Sequence, residues 1–325
     1  MTNSSKEKKA RSSLVGVVFL ALLALGLPFL FPEPYHRHIL IMILIWGTMG
    51  TAWNLLGGYA GQVSFGHAAF FGLGAYAAGL LDFHLKISPW WGMILGPVLA
   101  AVVAIPIGLI SFRLRGPYFA LATLALGEIF RLIFNNWVSF TNAARGILIM
   151  PAFTDKLIYY FIALAMLAVS LLTVYLLVNS KMGYYFVAIR EDQDAAEALG
   201  IPTSRYKIYA LLPSAFLTGL VGAFYMNYVA FIDPHVVFSL SDISVMVILV
   251  VMMGGVATIW GPPVGAAVYI ALNEIFRARL GPANVLAFGL LVCLVILFLP
   301  NGIIGEISHW RRFFRGRKVA TISGD

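Results

Sequence analysis

The 325-residue chain has a single cysteine, Cys293. A lone thiol makes no internal disulfide and no cysteine pair for metal or redox chemistry. It lies in an apolar run, where a packing role is expected. Charge is also scarce: Asp, Glu, Lys and Arg make up 11% of residues, against about 25% in a soluble domain. No GxxxxGKS/T loop is present, so the chain does not hold ATP in that way. It has no HExxH and no GxSxG. The GLGAYA string at 72–77 fits GxGxxA, but it sits inside an apolar helix pattern instead of after a strand. The ionisable groups inside apolar runs are too few for a proton relay or a voltage sensor. The chain is therefore expected to be no enzyme and to carry no cofactor or metal of its own.

What the chain has instead is apolar length. Hydrophobic residues make up 61%, and the mean hydropathy is +0.90. This composition predicts an all-α, polytopic membrane protein, a single transmembrane domain over 1–325. Apolar periods place about ten spans at 14–31, 39–56, 66–81, 90–112, 117–134, 157–178, 206–229, 242–259, 262–276 and 284–300. The first is long for a signal peptide and lacks a small-x-small cleavage site, so a retained span is expected, kinked or ended at Pro28. The net charge of +8 is no nucleic-acid signature, because the basic residues cluster beside apolar runs. Starting from an inside N-terminus, alternation puts fifteen Lys and Arg inside. Six fall outside: Arg37, Lys86, Arg145, Lys156, Arg277 and Arg279. Arg131 falls within a span. The positive-inside rule then predicts cytoplasmic N- and C-termini. The basic tail at 301–325 is expected on the cytoplasmic leaflet, against membrane lipid.

One long polar interval interrupts the apolar pattern, at 181–205, and the orientation makes it cytoplasmic. Within it, the period predicts a helix from Arg190 to Leu199, stopped by Gly200 and Pro202. Ala188, Ile189, Ala195, Ala196 and Leu199 fall on one face. Glu191 and Asp192 fall in its first turn, where carboxylates suit the helix dipole. A lipid-surface helix would carry Lys and Arg on its polar face. This one carries Glu191, Asp192, Asp194 and Glu197 against Arg190, which points to docking on a protein. Asp194-Ala195-Ala196, then Gly200, then Ala210, Leu212 and Pro213 resemble the EAA signature of ABC-importer permeases. That resemblance implies a coupling helix seated on a cytoplasmic ATPase, with Arg190, Glu191, Asp192, Asp194, Ala195, Ala196 and Gly200 as the coupling residues. Asp194 stands where Glu is usual, and Ala210 where Ile is usual.

Two further stretches carry polar or broken backbone at membrane depth. Gly57, Gly58 and Gly61 interrupt one helix beside Asn54, Gln62 and Ser64. Such backbone must be buried in protein or line a watered path. Gly254-Gly255 and Gly261-Pro262-Pro263 make a second break. The strings ALGEIFR and ALNEIFR place Glu128 with Arg131, and Glu274 with Arg277, at one-face spacing. Glu128 and Glu274 are path candidates by this reading; a structural ion pair is the other reading.

Four blocks in order, NLLGGYAGQVSFGHAAFFGLGAY, RLRGPYFALATLALGEIFR, AIREDQDAAEALGIP and GGVATIWGPPVGAA, resemble the LivM-type permease of branched-chain amino acid ABC importers. One block departs: Thr141-Asn142-Ala143-Ala144-Arg145-Gly146 replaces a Thr-Gly-Gly stretch. The resemblance implies a type II importer fold of about ten helices. The implied partners are a second, LivH-type permease, two ATPases that hold ATP and Mg²⁺, and an external binding protein. The cargo would be a branched-chain, hydrophobic amino acid on an apolar path bordered by Asn54, Gln62 and Ser64. A urea or short-amide permease of the same family and an ion-coupled secondary carrier are the alternatives.

Overall fold

The computed structural model describes residues 23–283, isolated positions from 286 to 297, and residues 302–306. Ten helices organise it. We label them α1 (Pro34–Asn54), α2 (His67–Leu85), α3 (Gly92–Ser111), α4 (Pro117–Asn136), α5 (Lys156–Val178), α6 (Lys181–Glu191), α7 (Gln193–Ala198), α8 (Thr203–Val229), α9 (Met246–Gly254) and α10 (Gly261–Leu280). Their starts follow from local chemistry. Pro34 opens α1 and Pro117 opens α4, at positions where the missing N–H costs nothing. The Asp155 and Ser180 side chains cap α5 and α6 by accepting from Leu157 N and Met182 N.

Seven segments among the described residues are long and apolar enough to cross a membrane: Pro34–Tyr59, His67–Leu85, Pro89–Ser111, Pro117–Asn136, Lys156–Val178, Thr203–Val229 and Pro234–Gly254. The expected count of ten therefore stands at seven here. Half of 14–31 and most of 284–300 lie outside the described residues. The helical residues 23–30 contain Pro28, and the helix ends at Leu30. Helix α10 has the length, at 20 residues, but carries Glu274, Arg277 and Arg279. The expected span 242–259 ends early, at Gly254. Cys293 is exposed, not packed. The chain is also not purely helical. Ile147–Leu148 (β1) and Phe231–Ile232 (β2) form a two-residue antiparallel ladder with Ile147 opposite Ile232. This ladder ties the 135–156 connection to the end of α8, and Ile147 and Ile232 are buried beneath it.

Helix α8 is central and packs along α2 and α3, while α1 lies between α5 and α10. Burial separates inner from outer helices. The most apolar window of α1 is 78% buried, that of α4 only 17%. The outward rows of α3 and α4, such as Val102, Leu109, Leu121 and Ile129, are apolar and suit lipid or a second membrane subunit. The α2–α8 contact runs through glycines. A Cβ on Gly74 would stand 2.0 Å from Gly219 O, and one on Gly222 would stand 2.0 Å from Phe71 O. This is close backbone approach of the small-residue kind. Backbone cannot yield as a side-chain tip can, so Gly222→Val is expected to cost about 3 kcal/mol or more. The measurement is thermal unfolding in detergent, and an unchanged midpoint would rule this contact out as the bundle's close point.

Candidate functional site

The polar interval folds as two helices, not one. The expected helix 190–199 is split at Asp192, whose backbone is extended (φ −158, ψ 111). The Asp192 carboxylate accepts from Ala195 N at 3.0 Å and so caps α7. Arg190 and Glu191 therefore close α6 and do not open the acidic helix. The expected apolar face is divided too. Ile189 on α6 and Ala196 on α7 are buried, whereas Leu199 is 82% exposed. Gly200 follows in the left-handed region (φ 83), and α8 begins at Thr203, inside the polar interval.

The acidic residues of α7 face the bundle as well as solvent. Arg115, in the turn between α3 and α4, pairs with Asp194 and reaches Glu197 Oε2 at 3.1 Å. Glu197 Oε1 accepts from Thr203 Oγ1 at 2.6 Å and from Gln193 Nε2 at 2.8 Å. These bonds, with the Arg115 charge, hold the Glu197 carboxyl below its ordinary pKa. Lys207 Nζ donates to Gln193 Oε1 at 2.6 Å. Helix α7 and the turn after it leave Asp194, Ala195, Ala198, Leu199 and Gly200 exposed, the Asp194 side chain at 77%. The projection keeps an acidic flank, because the single Arg115 charge serves both Asp194 and Glu197, beside an apolar end at Leu199 and Gly200. Sequence reasoning missed Arg115, Gln193, Thr203 and Lys207. Only the four-residue step from Gln193 to Glu197 was readable in advance.

Directly beneath lies the first helix break. One π-helical turn, Leu55–Tyr59, ends α1, and 60–66 runs irregularly to α2. Arg190 joins this break to the polar interval: its Nη1 donates to Gly58 O at 3.4 Å. A Cβ on Gly61 would stand 2.7 Å from Arg190 Cγ. Trp53 Nε1 donates to Ser64 O at 2.8 Å, and Ser64 Oγ accepts from Gly66 N at 3.2 Å. Gln62 Nε2 donates to Ala60 O at 3.2 Å. His67 Nε2 meets Ser214 Oγ at 2.9 Å, with the ring fully buried in the bundle.

The second break, 255–260, meets the first. Asn54 is fully buried. Its Nδ2 donates to Thr258 O at 2.8 Å and its Oδ1 accepts from Ala257 N at 2.9 Å. Two interruptions about 200 residues apart in sequence are thereby clamped by one amide. Asn54, Gln62, Ser64 and Arg190 come together at this junction. Glu128 and Glu274 do not join them. Glu128 pairs with Arg131, which reaches His235 Nδ1 at 2.9 Å. Glu274 accepts from Tyr35 Oη at the first turn of α1. Among the described residues no group of three His, Cys, Asp or Glu side chains stands close enough to hold a metal ion.

Seven described segments long and apolar enough to span a membrane, two helix interruptions joined through Asn54 and a polar helix pair held to the first of them describe a multi-pass membrane protein. The family described as "Branched-chain amino acid transport system / permease component" matches residues 36–299, and the chain belongs to it. It is 26% identical over 318 residues to the high-affinity branched-chain amino acid transport system permease protein LivM of Escherichia coli, covering 89% of this chain and 74% of that one. A probable LivM of Methanocaldococcus jannaschii is 23% identical over 325 residues, covering 82% and 94%. The PsaBC structure from Streptococcus pneumoniae in complex with Fab aligns with a TM-score of 0.44 at 16% identity, over 82% of this chain and 93% of that one.

Proposed function

We propose that the chain is the permease subunit of an ABC importer of type II architecture for branched-chain, hydrophobic amino acids. It works beside a second, LivH-type permease. Two cytoplasmic ATPases hold ATP and Mg²⁺, and an external binding protein delivers the cargo. The termini and α7 are cytoplasmic. The observation that carries this reading is α7 itself, which leaves Asp194 exposed, with Leu199 and Gly200 outward just after it, while Arg115 ties its acidic side to the bundle. Its neighbour Arg190 rests on the broken end of α1. An acidic, small-residue projection suits a protein cleft better than an anionic lipid surface.

The mechanism follows from these contacts. Closure of the ATPases on ATP displaces α7, with Arg190, Glu191, Asp192, Asp194, Ala195, Ala196 and Gly200 as the coupling segment. Arg190 bears on Gly58 and Gly61, so the displacement enters the first break. Asn54 carries it to Ala257 and Thr258, so both breaks move together. Access to the central path then alternates as the two interrupted helices shift against α8. Gln62 and Ser64 border that path at the break, and Asn54 clamps its wall. Glu128 and Glu274 sit farther out in this scheme, as paired groups on α4 and α10.

The test is uptake of labelled leucine, isoleucine and valine into proteoliposomes holding the full complex. Uptake that needs both ATP and the loaded binding protein is the expected result. Uptake driven by an ion gradient without ATP would overturn the importer reading. ATP-driven uptake of urea or acetamide, with none of the three amino acids, would overturn the substrate assignment alone.

A further inference from the structure

Helix α7 has six residues, too few to hold a helical shape unaided. Among its side chains only Ala196 is buried, at 2% exposure. Its seat on the bundle is therefore polar, and the polar contacts fall into two sets. Arg115 holds the Asp194 and Glu197 side from the α3–α4 turn. Thr203 and Lys207 hold it from the first turns of α8.

Lys207 is the unusual member. Its residue is 1% exposed, and its ammonium lies 5.9 Å from the centroid of the Phe112 ring. The group it donates to is an amide oxygen, Gln193 Oε1, at 2.6 Å. Burying an ammonium on a neutral acceptor is costly. An apolar side chain of similar volume would fill the same space without that cost. The charge needs a reason beyond packing, and the connectivity supplies one. Gln193 opens α7 and passes its other amide atom to Glu197, which accepts from Thr203. Both ends of α7 are thereby tied to α8. Without the Lys207 tie, the first turn of α7 would be held to the bundle by Arg115 alone and would shift more easily about the 199–202 connection, where Gly200 is in the left-handed region.

We infer that Lys207 is a positioning residue for energy coupling: its buried ammonium, held by Gln193, fastens the start of α7 to α8. Displacement of α7 is then delivered to the central helix and not absorbed at Gly200. This rests on the reading of α7 as the coupling helix.

The experiment measures amino acid uptake and ATP hydrolysis on the same proteoliposomes of the full complex. Lys207→Met is expected to lower uptake per ATP by about tenfold, with the ATPases still copurifying. Gln193→Leu is expected to do the same. The double variant should show about the same tenfold loss and not a hundredfold one, because the pair acts as a unit. A merely structural lysine would lower the recovery of complex, and uptake and hydrolysis in proportion, leaving the ratio unmoved. That result overturns the proposal. If Lys207→Met is not recovered, Gln193→Leu decides alone, and an unchanged ratio overturns it. A wild-type complex with no ATP-dependent uptake overturns the coupling reading itself. A coupled wild type beside a coupled Gln193→Leu overturns only the role of Lys207.

Discussion

Gly200→Trp is expected to cut the ATPase recovered with the permease by more than tenfold, in the range seen for interface anchors, while membrane insertion stays normal. The backbone at Gly200 has φ 83, a conformation that costs a side-chain-bearing residue about 1 kcal/mol or somewhat more. An added Cβ meets nothing within 4 Å, so the indole projects away from the bundle. The interior packing is untouched, and the bulk lies where α7 presents Leu199. Gly200→Ala separates the two effects. It carries the same backbone strain with little bulk, so it is expected to lower thermal stability slightly and retain the ATPases. Normal copurification and full uptake by the tryptophan variant would remove α7 from the coupling interface.

The sequence made some of this architecture legible and hid the rest for physical reasons. Helix starts at Pro117 and near Lys156 were readable, because a proline at the first turn and a capping Asp155 act locally. The 39–56 and 206–229 spans were readable as continuous apolar length. The break at Asp192 was not, because Ala188 and Ile189 before it and Ala195 and Ala196 after it keep a helical period. A side-chain cap decided against that period. The signal was present, since an Asp three residues before an alanine pair is an N-cap pattern. The glycines of both interruptions could be picked out, but not their meeting through Asn54. That contact depends on how α9 and α10 return against α1, which no local pattern encodes. Lys207 read as one more inside charge, and only the packing of α7 and Phe112 over it shows that it is buried.

Asn54→Leu is the second change with a large expected effect. Both polar atoms of the side chain serve backbone groups of the other interruption, Ala257 N–H and Thr258 C=O. Leucine keeps most of the volume and offers neither a donor nor an acceptor. The two backbone groups then lose their Asn54 partner in a region where Asn54 itself is fully buried. A fully buried group left unpaired costs about 1–3 kcal/mol; both contacts here are part-buried, so a loss on the order of 2 kcal/mol is expected. The site has no room to compensate, since a Cβ on Gly58 would already stand 2.0 Å from Asn54 Oδ1 and 2.8 Å from Ala257 N. The unfolding midpoint in detergent should drop sharply, and uptake should fall further than ATPase recovery does, because α7 and its contacts with Arg115 are not altered. Asn54→Asp keeps the acceptor for Ala257 but sets a buried carboxylate oxygen against Thr258 O, and should cost at least as much as Asn54→Leu. A side chain that merely lined the path would behave differently: its replacement would shift the half-saturating amino acid concentration or the choice among amino acids at unchanged stability. An unshifted midpoint in Asn54→Leu would therefore refute the clamp, and with it the claim that the two interrupted helices move as one body when α7 is displaced.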